Sequence, residues 1–127
     1  MTAYGFLAVG VGAALGAWLR WLLGIALNPV FPTVPLGTLA ANLVGGYLIG
    51  VAMEFFMQHA SLPAELRLLI ITGFLGGLTT FSTFSAEAVT LLARVQYGWG
   101  LAMISAHLIG SLAMTVLGIY SVRALQS

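Results

Sequence analysis

Only seven charged residues interrupt this chain, and their positions constrain what it can fold into. Residues 1–19, 21–53, 68–86 and 95–122 contain no Asp, Glu, Lys or Arg. A helix needs about 20 apolar residues to cross a bilayer. The second run is divided by Asn28, Pro29, Pro32 and Pro35, which read as a loop. Four helices are therefore expected, at roughly 3–26, 36–58, 64–94 and 97–123, with ends uncertain by a few residues. The chain is 61% hydrophobic and 6% charged, against about 25% charged in a soluble domain. The expectation is an all-α membrane protein, with residues 1–127 forming a single four-helix transmembrane domain. The first run lacks a basic leader and is too long for a signal-peptide core, so it reads as a span. Cysteine is absent, which removes disulfides and thiolate metal sites. A net charge of +1 gives no reason to expect a nucleic-acid partner.

Lys and Arg in short loops normally set orientation. With four crossings, Arg67 and Arg123 fall on one side, and Arg20 and Arg94 near the other. This tie leaves two readings open. Either other features fix one orientation, or copies insert both ways and pair antiparallel.

One segment is out of place for a membrane helix. Residues 76–85 read GGLTTFSTFS: two glycines, five hydroxyl residues and the phenylalanines Phe81 and Phe84. Residues 64–75 cover only about half the hydrocarbon at 1.5 Å per residue. Gly76, Gly77 and the following Leu-Thr-Thr are expected to interrupt the helix, which resumes near residue 81. Discontinuous helices of this kind place ion sites near the midplane, with carbonyls free to bind a cation such as sodium. Phe81 and Phe84, three apart, share a face. Aromatic edges carry positive quadrupole charge and favour an anion without hydrogen bonding it.

The other helices carry sparse polar positions. Gly12, Gly16 and Arg20 lie on one face of helix one. The glycines read as a close helix contact. Arg20 either snorkels to the headgroups, the commoner outcome, or lines an aqueous mouth. In helix two, Thr38 and Asn42 share a stripe. Asn42 is either an interhelical hydrogen bond or a donor to a passing ligand. Gly46 and Gly50 read as packing, and Glu54, near the helix end, as solvated. Glu87 is the one carboxylate well inside a span, facing either the midplane or a vestibule. In helix four, His107, Ser111 and Thr115 form a stripe that suits a helix contact or a hydroxyl track, with His107 read as packing. No acid–base pair, metal-ligand cluster or phosphate loop suggests an enzyme. The buried polar groups are donors, which suits a small, strongly hydrated anion.

GGLTTFSTFS, with GTLAANLVG in helix two, the G-x-x-x-R of helix one and HLIGSLAMT in helix four, resembles the Fluc (CrcB) family of bacterial fluoride channels. The resemblance covers the whole chain. It implies an antiparallel, dual-topology homodimer in the bacterial inner membrane, with a broken third helix. It implies two pores that export fluoride passively, with a structural sodium at the midplane. By motif, Phe81 and Phe84 would line each pore, with Asn42 as the pore amide. Ser111, Thr115 and Thr38 are carried over as further pore groups. Gly76 and Thr79 would offer carbonyls to sodium, and Arg20 and Glu87 would be vestibule or structural residues. The strongest rival from the residues alone is a small multidrug transporter, which needs an embedded carboxylate that helix one lacks. A non-transporting assembly subunit and a proton-coupled fluoride antiporter are the others.

Overall fold

A computed structural model describes residues 1–126, and among these all regular structure is helical. Helix α1 spans Ala3–Leu27 and α2 spans Leu36–Gln58. The third crossing begins as α3, Ala64–Arg67, continues as a π-helix over Leu68–Leu75, and ends as α4, Gly76–Leu78. Helix α5, Phe81–Ala93, follows, and α6 spans Tyr97–Gln126. Four stretches are long and apolar enough to cross a membrane: Ala3–Val30, Leu36–Gln58, Ala64–Ala93 and Tyr97–Gln126. These agree with the sequence expectation to within a few residues at each end. The chain is thus a multi-pass membrane protein, with many exposed Leu, Ile, Val and aromatic side chains.

Lipid tails are as apolar as leucine, so helices in a bilayer associate through close packing rather than hydrophobic exclusion. Glycines supply that packing. A Cβ on Gly12 would strike the Leu69 carbonyl and the Phe74 amide, and one on Gly16 the Phe74 carbonyl and the Leu78 amide. This joins α1 to the third crossing. On the other side, α2 packs along α6. Cβ atoms on Gly50 and Gly118 would strike the Thr115 and Tyr47 carbonyls respectively. The G-x-x-x-G readings of helices one and two therefore hold as helix contacts.

Three local expectations are corrected. Gly76 and Gly77 do not interrupt the third crossing: both are helical, and the extended residues are Thr79 (φ −85°, ψ 155°) and Thr80 (φ −149°, ψ 119°). Gly77 is needed for contact instead, since its Cβ would strike the Ala13 carbonyl of α1. The stretch before it is π-helical rather than α-helical. Glu54 is not solvated. It is 5% exposed and accepts hydrogen bonds from Arg123 Nε at 3.1 Å and Gln58 Nε2 at 3.0 Å. A buried carboxylate needs such partners, and this one ties the last turns of α6 to α2.

The glycine contacts generate a test. Gly50→Ala places a methyl group against α6 backbone that cannot move aside, and should cost about 1–3 kcal/mol. Gly10 has open space around its Cβ position, so Gly10→Ala should be neutral, or stabilising by up to about 1 kcal/mol through helix propensity. Thermal denaturation of the purified protein in detergent measures both.

Candidate functional site

A backbone that leaves the helical path inside a bilayer must have its amides and carbonyls satisfied by protein. Asn42 of α2 does this for Thr80. Its Oδ1 accepts the Thr80 amide at 2.8 Å, and its Nδ2 donates to the Thr80 carbonyl at 3.0 Å. The same Nδ2 lies 3.0 Å from His107 Nδ1. Because an amide N–H can only donate, the Thr80 bond fixes the Asn42 side chain with oxygen toward that amide. Asn42 nitrogen then donates to His107, so Nδ1 accepts and the proton of the neutral ring sits on Nε2. His107 is 4% exposed, and its Nε2 is buried without a hydrogen-bond partner among the described residues.

Thr80 also caps the next helix. Its side chain accepts the Thr83 amide at 3.0 Å, as N-cap threonines do. Two helical bonds are displaced in consequence. In a regular α-helix, the Thr80 amide would bond the Gly76 carbonyl and the Thr83 amide the Thr79 carbonyl. Asn42 takes the first amide, and the Thr80 hydroxyl takes the second. The Gly76 and Thr79 carbonyls are therefore released from their usual partners. The Thr79 hydroxyl bonds back to the Leu75 carbonyl at 2.9 Å.

These residues line an open groove of about 490 Å³ at the middle of the span. Of the candidates from sequence, it brings together Asn42, Gly76, Thr79, Phe81, Phe84, Ser111 and Thr115, and adds Thr80 and His107. The Phe81 and Phe84 rings meet edge-on at 5.6 Å, as their spacing predicts, and Phe84 lies 4.6 Å from the His107 ring. Phe81 is 80% exposed on the groove rim, an apolar side chain without a cover in the single chain. The Thr115 hydroxyl is directed to the Gly46 and Ser111 carbonyls, at 2.9 and 3.0 Å, across the α2–α6 contact.

Three candidates lie outside the groove. Thr38 Oγ1 donates to Glu87 Oε2 at 2.6 Å, and Glu87 Oε1 is buried without a partner among the described residues. Arg20 does not snorkel. It is half-buried, and its Nε donates to the Gly77 carbonyl at 3.1 Å. Sequence reasoning missed the paired role of Thr80 and the contact of His107 with Asn42. The His107–Ser111–Thr115 stripe was visible, but its partner is 65 positions away.

Residues 7–119 match the family described as CrcB-like protein, Camphor Resistance (CrcB). A protein of Nitrosospira multiformis named fluoride-specific ion channel FluC is 66% identical over 123 residues, covering 97% of this chain and 96% of the relative. One of the same name from Ralstonia pickettii is 66% identical over 123 residues, covering 97% and 98%. Another, from Tolumonas auensis, is 58% identical over 123 residues, covering 97% of each. Four spans, a midspan groove that gathers Asn42, His107 and several hydroxyl residues into an apolar wall, and similarity along nearly the whole length converge: this chain belongs to the CrcB family of fluoride-specific ion channels, not to a family of enzymes.

Proposed function

We propose that this protein conducts fluoride passively out of the cell across the bacterial inner membrane, working as an antiparallel, dual-topology homodimer with two pores and a structural sodium between the subunits. The observation that carries this reading is the groove at Thr79–Thr80. Its wall is mostly apolar, with Asn42, His107, Ser111 and the rings of Phe81 and Phe84 set into it, and with no carboxylate and no fixed cation among its lining residues. A small, hard anion gives up its water only where several donors replace it at close range. His107 Nε2–H is such a donor, and the Ser111 hydroxyl lines the same groove; Asn42, whose two N–H groups are held by Thr80 and His107, orients that ring and holds the extended backbone. The edges of Phe81 and Phe84 favour negative charge without forming a hydrogen bond. Thr115 and Thr38 extend the polar path, with Glu87 and Arg20 toward its ends.

Sodium fits the released carbonyls of Gly76 and Thr79. A hard monovalent cation prefers neutral oxygen donors, and carbonyls at an unwound stretch of membrane helix are the usual source. When bound, it would supply fixed positive charge between the pores. Gly76 is exposed in the single chain, and the apolar rim at Phe81, Leu108 and Leu112 is uncovered. A second copy related by a twofold axis in the membrane plane would cover this face and double the carbonyl set. The even division of arginines between the two sides agrees with insertion in both orientations. The two extended residues then act as a functional break in the third crossing.

Fluoride efflux from liposomes tests the reading. The protein should carry fluoride with net charge movement. Phe81→Ile and Phe84→Ile should each cut the rate by about tenfold or more, a barrier change of roughly 1.4 kcal/mol, with the assembly intact on size exclusion. Wild-type rates in both variants would remove the ring-edge role, and electroneutral, proton-linked flux would assign an antiporter. Replacing sodium on both faces with a bulky organic cation should lower activity, and indifference to that replacement would remove the cation. Asn42→Ala should lower thermal stability by about 1–3 kcal/mol through the lost clamp on Thr80, as well as reducing flux. An unchanged melting temperature would contradict that clamp.

A further inference from the structure

We infer that Arg20 is a positioning residue: it caps the Gly77 carbonyl and so determines which carbonyls at the end of α4 remain open to the groove. A helix end leaves its last carbonyls without amide partners. Here they are divided among distinct donors. The Leu75 carbonyl takes the Thr79 amide at 3.0 Å and the Thr79 hydroxyl at 2.9 Å. The Gly76 carbonyl loses the Thr80 amide to Asn42. The Gly77 carbonyl takes Arg20 Nε, from a residue 57 positions away.

The reach of Arg20 is set by packing. Gly12, Gly16 and Arg20 lie four apart on one face of α1. The two glycines have no side chain because the backbone of residues 69–78 occupies that space: a Cβ on Gly16 would lie 2.7 Å from the Leu78 amide nitrogen. The third position on the same face carries a long, charged donor that reaches the next carbonyl along. A guanidinium suits the carbonyl end of a helix, and a charged donor makes a stronger bond than a neutral one. Without it, the Gly77 carbonyl is free to take its ordinary helical partner, the Phe81 amide. That bond would draw α5 into line with α4 and close the extended pair at Thr79 and Thr80. Arg20 and Asn42 thus hold the two sides of the same two residues, one from α1 and one from α2.

This inference bears on the proposed function, because the open carbonyls are those assigned to sodium, yet it can be tested without transport. Arg20→Met keeps the apolar stem and removes the donor, and Arg20→Gln keeps a neutral donor. Hydrogen–deuterium exchange of the purified protein, read by mass spectrometry over residues 76–84, should slow about tenfold in Arg20→Met at the Phe81 amide, which gains the freed Gly77 carbonyl, the factor for one such bond. It should stay near wild type in Arg20→Gln, with peptides from the α2–α6 contact unchanged in both. Fluoride efflux should fall in Arg20→Met and be largely retained in Arg20→Gln. Wild-type exchange in both variants, or equally slowed exchange in both, overturns the cap. Efflux lost equally in both with exchange unchanged would assign Arg20 to attracting anions by charge. If Arg20→Met does not fold, Arg20→Leu takes its place: slowed exchange at the Phe81 amide supports the cap and a wild-type rate overturns it. Exchange as expected in a protein that moves no fluoride would refute the proposed function and leave the cap standing.

Discussion

The arrangement depends on the pair of hydrogen bonds between Asn42 and Thr80. Two extended residues inside a bilayer leave amides and carbonyls that lipid cannot satisfy, and each unsatisfied group is costly. One carboxamide is suited to a peptide unit of this kind because it offers an acceptor and a donor at fixed spacing. Asn42 uses both on Thr80 and has a second N–H left for His107. The local fold follows: the Thr80 hydroxyl caps α5, and the carbonyls of Gly76 and Thr79 are released. The His107 ring, in contact with Phe84, keeps its proton on the nitrogen away from Asn42.

The helix contacts make this pairing possible. Glycines on α1 bring its backbone against the third crossing, and glycines on α2 and α6 do the same for the opposite pair. The third crossing is held from α1 at Gly77 and from α2 at Thr80. The proposed anion route and cation site share that constraint. In the proposed reading the unspent donors beside the groove would serve an anion, and the carbonyls released from the helical ladder a cation. Both arise because the same amides have been redirected.

Much of this was legible in the residues. The spans followed from the spacing of seven charges, and close helix contacts followed from glycines four apart. GGLTTFSTFS marked the region where the backbone leaves the helical path, because hydroxyl residues and glycines are poor lipid-facing choices. The details failed where long-range packing decides. Gly76 and Gly77 looked like helix breakers on propensity, but α1 lies against Gly77 and both remain helical. Glu54 looked solvated from its place near a helix end, yet Arg123, 69 positions later, buries it in an ion pair. Arg20 looked like a snorkelling arginine until its carbonyl partner was visible. Each error concerns a partner more than 50 positions away, or a backbone contact that leaves no mark in local sequence.

The most direct test is a density map of the assembled protein in lipid with sodium and fluoride present. The account predicts two inverted copies joined across the groove, with Asn42 on both polar groups of Thr80. It places one cation between the Gly76 and Thr79 carbonyls of both copies, and anion density beside the edges of Phe81 and Phe84. A Thr80 amide bonded to the Gly76 carbonyl in an unbroken helix, with Asn42 turned elsewhere, would contradict it.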